Sequence, residues 1–95
     1  MVTRRQLVEE LWNGEERLLF AEGFDAAIVG VAEGWFPAEG GGVHQGRAVV
    51  YDFDKCIRIL VRQGMTEEEA DEYLSYNTVG AYVGEGTPVF MKKLE

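Results

Sequence analysis

The sequence has 95 residues, enough for one compact domain, and its content of 46% apolar and 12% aromatic residues is too high for a disordered chain. Seventeen acidic and nine basic residues give a formal net charge of −8, which repels phosphate backbones, so we expect no direct binding to nucleic acid. An apolar run of roughly 18 residues is absent and Cys56 is the only cysteine, so we expect neither a membrane span nor an internal disulfide.

The first predicted helix begins at Thr3. Thr3 and Gln6 have the spacing of a capping box, in which each side chain satisfies a backbone donor at the start of a helix. Apolar residues then recur near helical spacing as far as Leu19, although the turn dipeptide Asn13-Gly14 interrupts the pattern. A kink or a break of the helix at Asn13-Gly14 is the alternative. We expect one helix that continues through these two residues and ends near Gly23.

Two strands and a long loop are predicted next. The run from Ala26 to Ala32 is apolar without alternation, which favours a strand covered on both faces, with a buried helical segment as the alternative. Residues 34–46 contain Trp35-Phe36-Pro37 and three consecutive glycines, which predict a loop of about a dozen residues. Residues 48–51 resume strand character.

The clearest helical pattern starts after Asp52, which is placed as an N-cap. The helix carries an apolar stripe formed by Phe53, Cys56, Ile57, Leu60 and Val61. Asp54 and Arg58 stand at i and i+4 on its outer face, in the favourable acid-first order. Gly64 is expected to end the helix.

A third helix is predicted from the capping box of Thr66 and Glu69. Its expected inner face consists of Ala70, Tyr73, Leu74 and Asn77. Its other face is strongly acidic, which favours a solvated surface over a docking surface. Residues 88–91 predict a final short strand with Pro88 at its beginning or on an edge.

These elements together predict an α+β fold. The order is helix-strand-strand-helix-helix-strand in a single small domain, residues 1–95, with a sheet of about three strands covered by helices. Leu94-Glu95 has the composition of a cloning remnant, and we assign it no function. No signal peptide is recognisable at the start of the sequence, so we expect a cytoplasmic location.

Motifs for catalysis are missing from the sequence. It has neither a phosphate-binding G-x-x-x-x-G-K-[ST] loop nor a G-x-S-x-G nucleophile motif, and His44 is its only histidine. Cys56 lies on an apolar stripe, where a thiol is expected to pack and not to react. We therefore expect no catalytic residue, no metal ligand and no cofactor.

Five residues are candidates for binding. Trp35 and Phe36 are large aromatics in the predicted loop, and such clusters, when exposed, tend to be hot spots of protein interfaces. Asn77 is an amide on an inner helical face, where it must find a hydrogen-bond partner. Tyr82 and Glu85 belong to a polar segment before the last strand. Each candidate also has a structural alternative. Trp35 and Phe36 would pack at the edge of the core, Asn77 would cap nearby backbone, and Tyr82 and Glu85 would belong to a simple turn.

Residues 51–56, 64–70, 72–73, 77 and 80–90 together resemble a set of small, functionally uncharacterised proteins of bacteriophages and bacteria. Members are similar in a strand ending in Tyr-Asp, a helix, Gly-Met, an acidic helix, Asn and a Gly-Glu-x-Thr-Pro turn. Residues 23–31 look similar as well. The resemblance implies no activity, but it suggests a protein of phage type that acts by binding.

Our leading hypothesis is a non-enzymatic, acidic binding protein of a phage or mobile element. It would act by protein–protein contact through Trp35 and Phe36, on a partner with a basic surface, and an inhibitor of a host factor is one form of it. The alternative is a small-molecule or nucleotide-binding homo-oligomer. Its pocket would be lined by Asn77, Tyr82, Tyr51 and the glycine-rich loop, with Arg47 available for an anionic ligand. A metal-dependent hydrolase using Asp52 and Glu85 is the least favoured. We also expect a dimer, because a three-stranded sheet leaves open edges.

Overall fold

A computed structural model describes residues 3–11, 18–38, 40–76 and 87–94 of the chain. The described residues form three helices and one three-stranded mixed sheet, which confirms the predicted α+β class and element order. The elements are α1 (Arg4–Leu11), β1 (Ile28–Pro37), β2 (Val43–Asp52), α2 (Phe53–Arg62), α3 (Glu67–Leu74) and β3 (Val89–Met91), with a 3-10 turn at Asp25–Ala27 before β1. No helix of this described part is long and apolar enough to cross a membrane.

The helices begin where local capping chemistry predicts. The Thr3 amide donates to Gln6 Oε1 (2.8 Å) and the Gln6 amide donates to Thr3 Oγ1 (3.1 Å). Thr66 and Glu69 form the same reciprocal pair at the start of α3. These two capping boxes each satisfy two backbone donors that a helix leaves unpaired. The expected passage of the first helix through Asn13-Gly14 lies outside the described residues.

Gly64 ends α2 as predicted. Its φ of +111° is in the left-handed region, which a glycine adopts without steric cost. The Met65 amide donates to the Leu60 carbonyl and the Gly64 amide to the Val61 carbonyl, which is the Schellman pattern. Because the chain turns at Gly64, α3 packs against α2.

The predicted loop at residues 34–46 is wrong. β1 and β2 form an antiparallel hairpin of ten-residue strands, and only the segment between Pro37 and Val43 turns. The three glycines at 40–42 all have positive φ, so the reversal is concentrated at the tip. β3 lies parallel to the inner end of β2, pairing Val50 with Val89 and Asp52 with Met91, which gives the sheet order β1-β2-β3.

The core lies between the inner half of the hairpin and the helices. Tyr51 is fully buried, stacks on Phe90 at 5.3 Å between ring centroids, and its hydroxyl accepts a hydrogen bond of 2.7 Å from the Ala21 amide. The other members of the core cluster are Val8, Phe24, Ala27, Ile28, Val49, Phe53, Cys56, Leu60, Ala70 and Leu74. The first strand begins at Ile28, later than predicted, and Val29 at its bulge is exposed, so the strand is not covered on both faces throughout.

The helices bury less apolar surface than their patterns predict. On α2, Phe53, Cys56 and Leu60 are buried, whereas Val61 remains 40% exposed. On α3, Ala70 and Leu74 are buried, but Tyr73 is exposed and so does not lie on the inner face as expected. The sequence pattern therefore describes a wider apolar surface than the one that the core covers.

Candidate functional site

The outer part of the hairpin, residues 33–47, projects beyond the short pairing with β3, and we call it the hairpin arm. β3 pairs only with Val50–Asp52. Among the described residues, the arm therefore has no third strand on either side, and its backbone edges are open. A two-stranded ribbon of this kind depends on cross-strand side-chain pairs for its stability.

One face of the arm carries an exposed apolar patch, which we define as Trp35 and Val43. Trp35 pairs with Gln45 across the strands, and Val43 is the next residue of β2 on the same face. Trp35 is 70% exposed and Val43 is 64% exposed. An exposed tryptophan on a ribbon presents a large rigid ring to solvent, which is typical of interface anchors.

A salt bridge lies between this patch and the core. Arg47 Nε donates to Glu33 Oε2 at 2.6 Å, and the two residues are direct cross-strand partners. The pair follows the apolar Val31–Val49 pair on the same face of the sheet. The Glu33–Arg47 salt bridge connects the two strands where the core ends. Trp35 therefore lies on a two-stranded ribbon whose strands are joined next to it.

Phe36 lies on the opposite face of the arm from Trp35, since successive strand residues alternate. It is half-buried and packs against His44, with ring centroids 6.3 Å apart. The His44 ring covers Gly46, where a Cβ would come within 2.8 Å of His44 Cε1. The sequence hypothesis treated Trp35 and Phe36 as one interface anchor. Because they lie on opposite faces of the arm, they do not form one joint surface.

The other three predicted binding residues, Asn77, Tyr82 and Glu85, lie outside the described residues. Two residues of the alternative pocket are described and have structural roles. Tyr51 is sealed in the core, and this burial raises the pKa of its phenol. Arg47 is held by Glu33. The described geometry thus gives no support to a pocket built on these side chains.

Asp52 is a buried carboxylate with two partners. Burial opposes its charge, but the Lys93 ammonium, whose Nζ lies 3.0 Å from Oδ2, and the Lys55 amide, 3.2 Å from Oδ1, outweigh that effect and lower the pKa of Asp52. Oδ1 thus caps the start of α2, and Oδ2 forms the ion pair with Lys93. Sequence reasoning identified the cap and missed Lys93, which is distant in the chain.

Cys56 packs in the core as expected. It is fully buried, and the loss of solvation raises the pKa of its thiol to about 12. A thiol in this state is a poor nucleophile. Among residues 3–11, 18–38, 40–76 and 87–94, no group of three or more His, Cys, Asp or Glu side chains is arranged to hold a metal ion.

A second surface lies on the outer side of α2. It is a groove of about 420 Å³ lined by Asp54, Ile57, Arg58, Val61, Arg62 and Glu67. The favourably spaced Asp54 and Arg58 form no ion pair with each other in the structure. The sequence indicates this groove through the apolar stripe on α2, which includes Ile57 and Val61 in addition to the residues that the core buries.

Comparison with known proteins adds no family to this description. No protein-family model matches the chain, and no significant match is found among curated proteins or solved structures. A functional interpretation therefore depends on the surface chemistry of the chain itself.

Proposed function

We propose that this chain is a non-enzymatic protein-binding module that engages its partner through the patch on the hairpin arm. The exposure of Trp35 is the observation that carries the proposal. Burying about 150 Å² of aromatic surface contributes about 3 to 4 kcal/mol to a complex, before the entropic costs of association. A handful of such residues carry most of the binding energy of an interface, and tryptophan is among the most frequent of them.

The shape and charge of the arm favour a protein partner. The patch lies on a ribbon and not in a cavity, so it suits insertion into a pocket of a larger partner. The net charge of −8 disfavours a nucleic acid. The exposed acidic face of α3, formed by Glu67, Glu68, Glu69, Asp71 and Glu72, would steer the chain toward a partner with a basic surface.

The resemblance to small phage and bacterial proteins supports the same proposal. A phage-encoded or mobile-element protein that works in the cytoplasm of its host would find its partner among host proteins. Inhibition of a host factor is the form of activity that this reading favours.

Affinity capture with paired variants tests the proposal. Wild-type chain, Trp35→Ala and Tyr76→Ala serve as bait in host lysate. Tyr76 is the matched control, because it is an aromatic residue that is 82% exposed and lies outside the arm, two residues after the end of α3. We expect a protein that is retained by wild type and Tyr76→Ala and lost with Trp35→Ala. If a folded Trp35→Ala chain retains every protein that wild type retains, the proposal fails.

A further inference from the structure

The outer strand of the hairpin, β1, is more exposed than the strand that it pairs with. The two strands join residues of the same type at three cross-strand positions, which are Val31–Val49, Ala32–Ala48 and Gly34–Gly46. In each of these pairs the β2 residue is buried, whereas the β1 residue is only half-buried. Since the residue types are identical, the difference comes from their surroundings, and it agrees with the place of β1 at the border of the sheet.

The free edge of β1 extends from Val31 to Phe36. At the inner end, Arg4 Nη1 donates to the Ile28 carbonyl at 3.0 Å, and the bulge next to Ile28 disturbs the pairing. At the outer end, Pro37 has no N–H to donate. The six residues between these limits include neither lysine nor proline, which commonly protect an edge, and no strand of the described part of the chain pairs with them on the side away from β2. Alternate residues of this stretch, which is about 20 Å long, therefore direct backbone N–H and C=O groups away from the sheet.

This edge carries an exposed acid next to the patch on the arm. Glu33 and Trp35 are two residues apart in β1, so their side chains lie on the same face. Glu33 Oε2 is paired with Arg47, yet 63% of the Glu33 side chain is exposed. A strand added to the edge would place one side chain directly beside Glu33 and another beside Trp35, at about 5 Å between Cβ atoms. The first position favours a base and the second an apolar residue.

We propose that the free edge of β1 binds an extended segment of the partner protein by strand addition, with a lysine or arginine beside Glu33 and an apolar residue beside Trp35. The inference rests on the proposed function, because it takes the hairpin arm as the binding surface, and it names the kind of segment that the arm binds. Main-chain hydrogen bonds supply affinity in such complexes, and alternate side chains supply specificity. The base of the partner and Arg47 then lie on either side of Glu33 in one row across three strands.

A second copy of this chain is a less suitable occupant of the edge. β1 contains no lysine or arginine, so pairing with β1 of a second copy gives Glu33 no basic neighbour in any register. In the antiparallel register that has Glu33 at the two-fold axis, the two Glu33 side chains stand opposite each other and repel. The charge of the edge therefore favours a partner segment that carries a base over self-association.

Selection of displayed random peptides on the full chain tests the inference. We expect enrichment of sequences in which a lysine or arginine and an aliphatic or aromatic residue stand two positions apart. The matched control is the double variant Glu33→Arg with Arg47→Glu, which reverses the salt bridge and retains it. This variant is expected to select acids in place of bases. Wild type that enriches no peptide, or that enriches peptides without a preference for bases, overturns the inference, as does a double variant that selects the same peptides as wild type.

Hydrogen exchange followed by NMR separates strand addition from contact through side chains alone. With a selected peptide bound, one alternate set of β1 amides, either 31, 33 and 35 or 32, 34 and 36, is expected to exchange at least about tenfold more slowly, because these amides gain hydrogen bonds. The same peptide with glutamate in place of its base is expected to bind at least about fivefold more weakly, because like charges then stand opposite each other. Binding that adds no protection to residues 31–36 overturns strand addition.

Failure of this inference is distinguishable from failure of the proposed function. A captured partner that requires Trp35 but adds no protection to residues 31–36 leaves the proposed function standing and removes strand addition. A captured partner that a folded Trp35→Ala chain retains in full contradicts the proposed function, whereas protection of the edge by a selected peptide is measured without any captured partner.

Discussion

Lys93 Nζ lies 3.0 Å from Oδ2 of Asp52, so the segment after β3 is tied to the residue that starts α2. Lys92 adds a second contact, with its ammonium 4.6 Å from the centre of the Phe53 ring. The carboxylate of Asp52 is almost completely buried, whereas Lys93 is about half exposed. The two contacts therefore hold the segment after β3 against the junction of β2 and α2.

Replacing Lys93 with alanine is expected to lower the free energy of unfolding by about 1 kcal/mol at pH 7, because a buried carboxylate loses its counter-charge. Lys55→Ala is the matched control: it removes the same charge, but its backbone amide continues to cap Asp52. Urea unfolding of both variants measures the difference. Equal effects of the two substitutions would show that the pair contributes only through net charge.

The same pair predicts a dependence on acid. The folded-state pKa of Asp52 is lowered, so its contribution to stability is present above the unfolded pKa of about 3.9 and is lost as the pH falls through the folded value. The difference in stability between wild type and Lys93→Ala is therefore expected to shrink as the pH falls below about 4. A difference that is constant from pH 7 to about pH 2 contradicts this.

Cys56 is expected to resist thiol reagents in the folded chain. It is fully buried, with a pKa of about 12, so labelling by a disulfide reagent at pH 8 requires unfolding. Because the folded pKa is raised, the contribution of the protonated thiol to stability is present below about pH 8.5 and is lost as the pH rises toward 12. Rapid labelling without denaturant would show that the thiol is accessible.

The cross-strand pair Gly34 and Gly46 provides a matched test of the packing on the arm. Gly46→Ala brings a methyl group within 2.8 Å of the His44 ring, so the ring must rotate away, at a cost of about 1 to 2 kcal/mol. Gly34→Ala meets nothing within 4 Å and is expected to be neutral or stabilising by up to about 1 kcal/mol. Thermal unfolding measures both, and a larger loss from Gly34→Ala contradicts the geometry.

Sequence reasoning was most successful where structure depends on neighbours in the chain. The capping boxes of Thr3 and Thr66, the N-cap at Asp52 and the stop at Gly64 need only a few adjacent residues, and all four are confirmed. These local rules also defined the element order, and with it the fold class.

The hairpin arm was missed because its stability is not local. Glycine and proline in residues 34–46 indicate a loop when each position is considered alone. Strand pairing then satisfies the backbone, and contacts such as Glu33–Arg47 and Phe36–His44 join residues that are distant in sequence. The same holds for Lys93 at Asp52. Trp35 was selected as a candidate from its residue type and neighbours, but only the strand pairing places its side chain on the opposite face from that of Phe36.

Isothermal titration of the captured partner with purified wild type, Trp35→Ala and Tyr76→Ala measures whether the hairpin arm is the binding surface. We expect Trp35→Ala to bind at least about 30-fold more weakly, as for a hot spot of about 2 kcal/mol, and Tyr76→Ala to bind like wild type. Equal affinities for wild type and a folded Trp35→Ala chain would contradict the assignment of the hairpin arm as the binding surface.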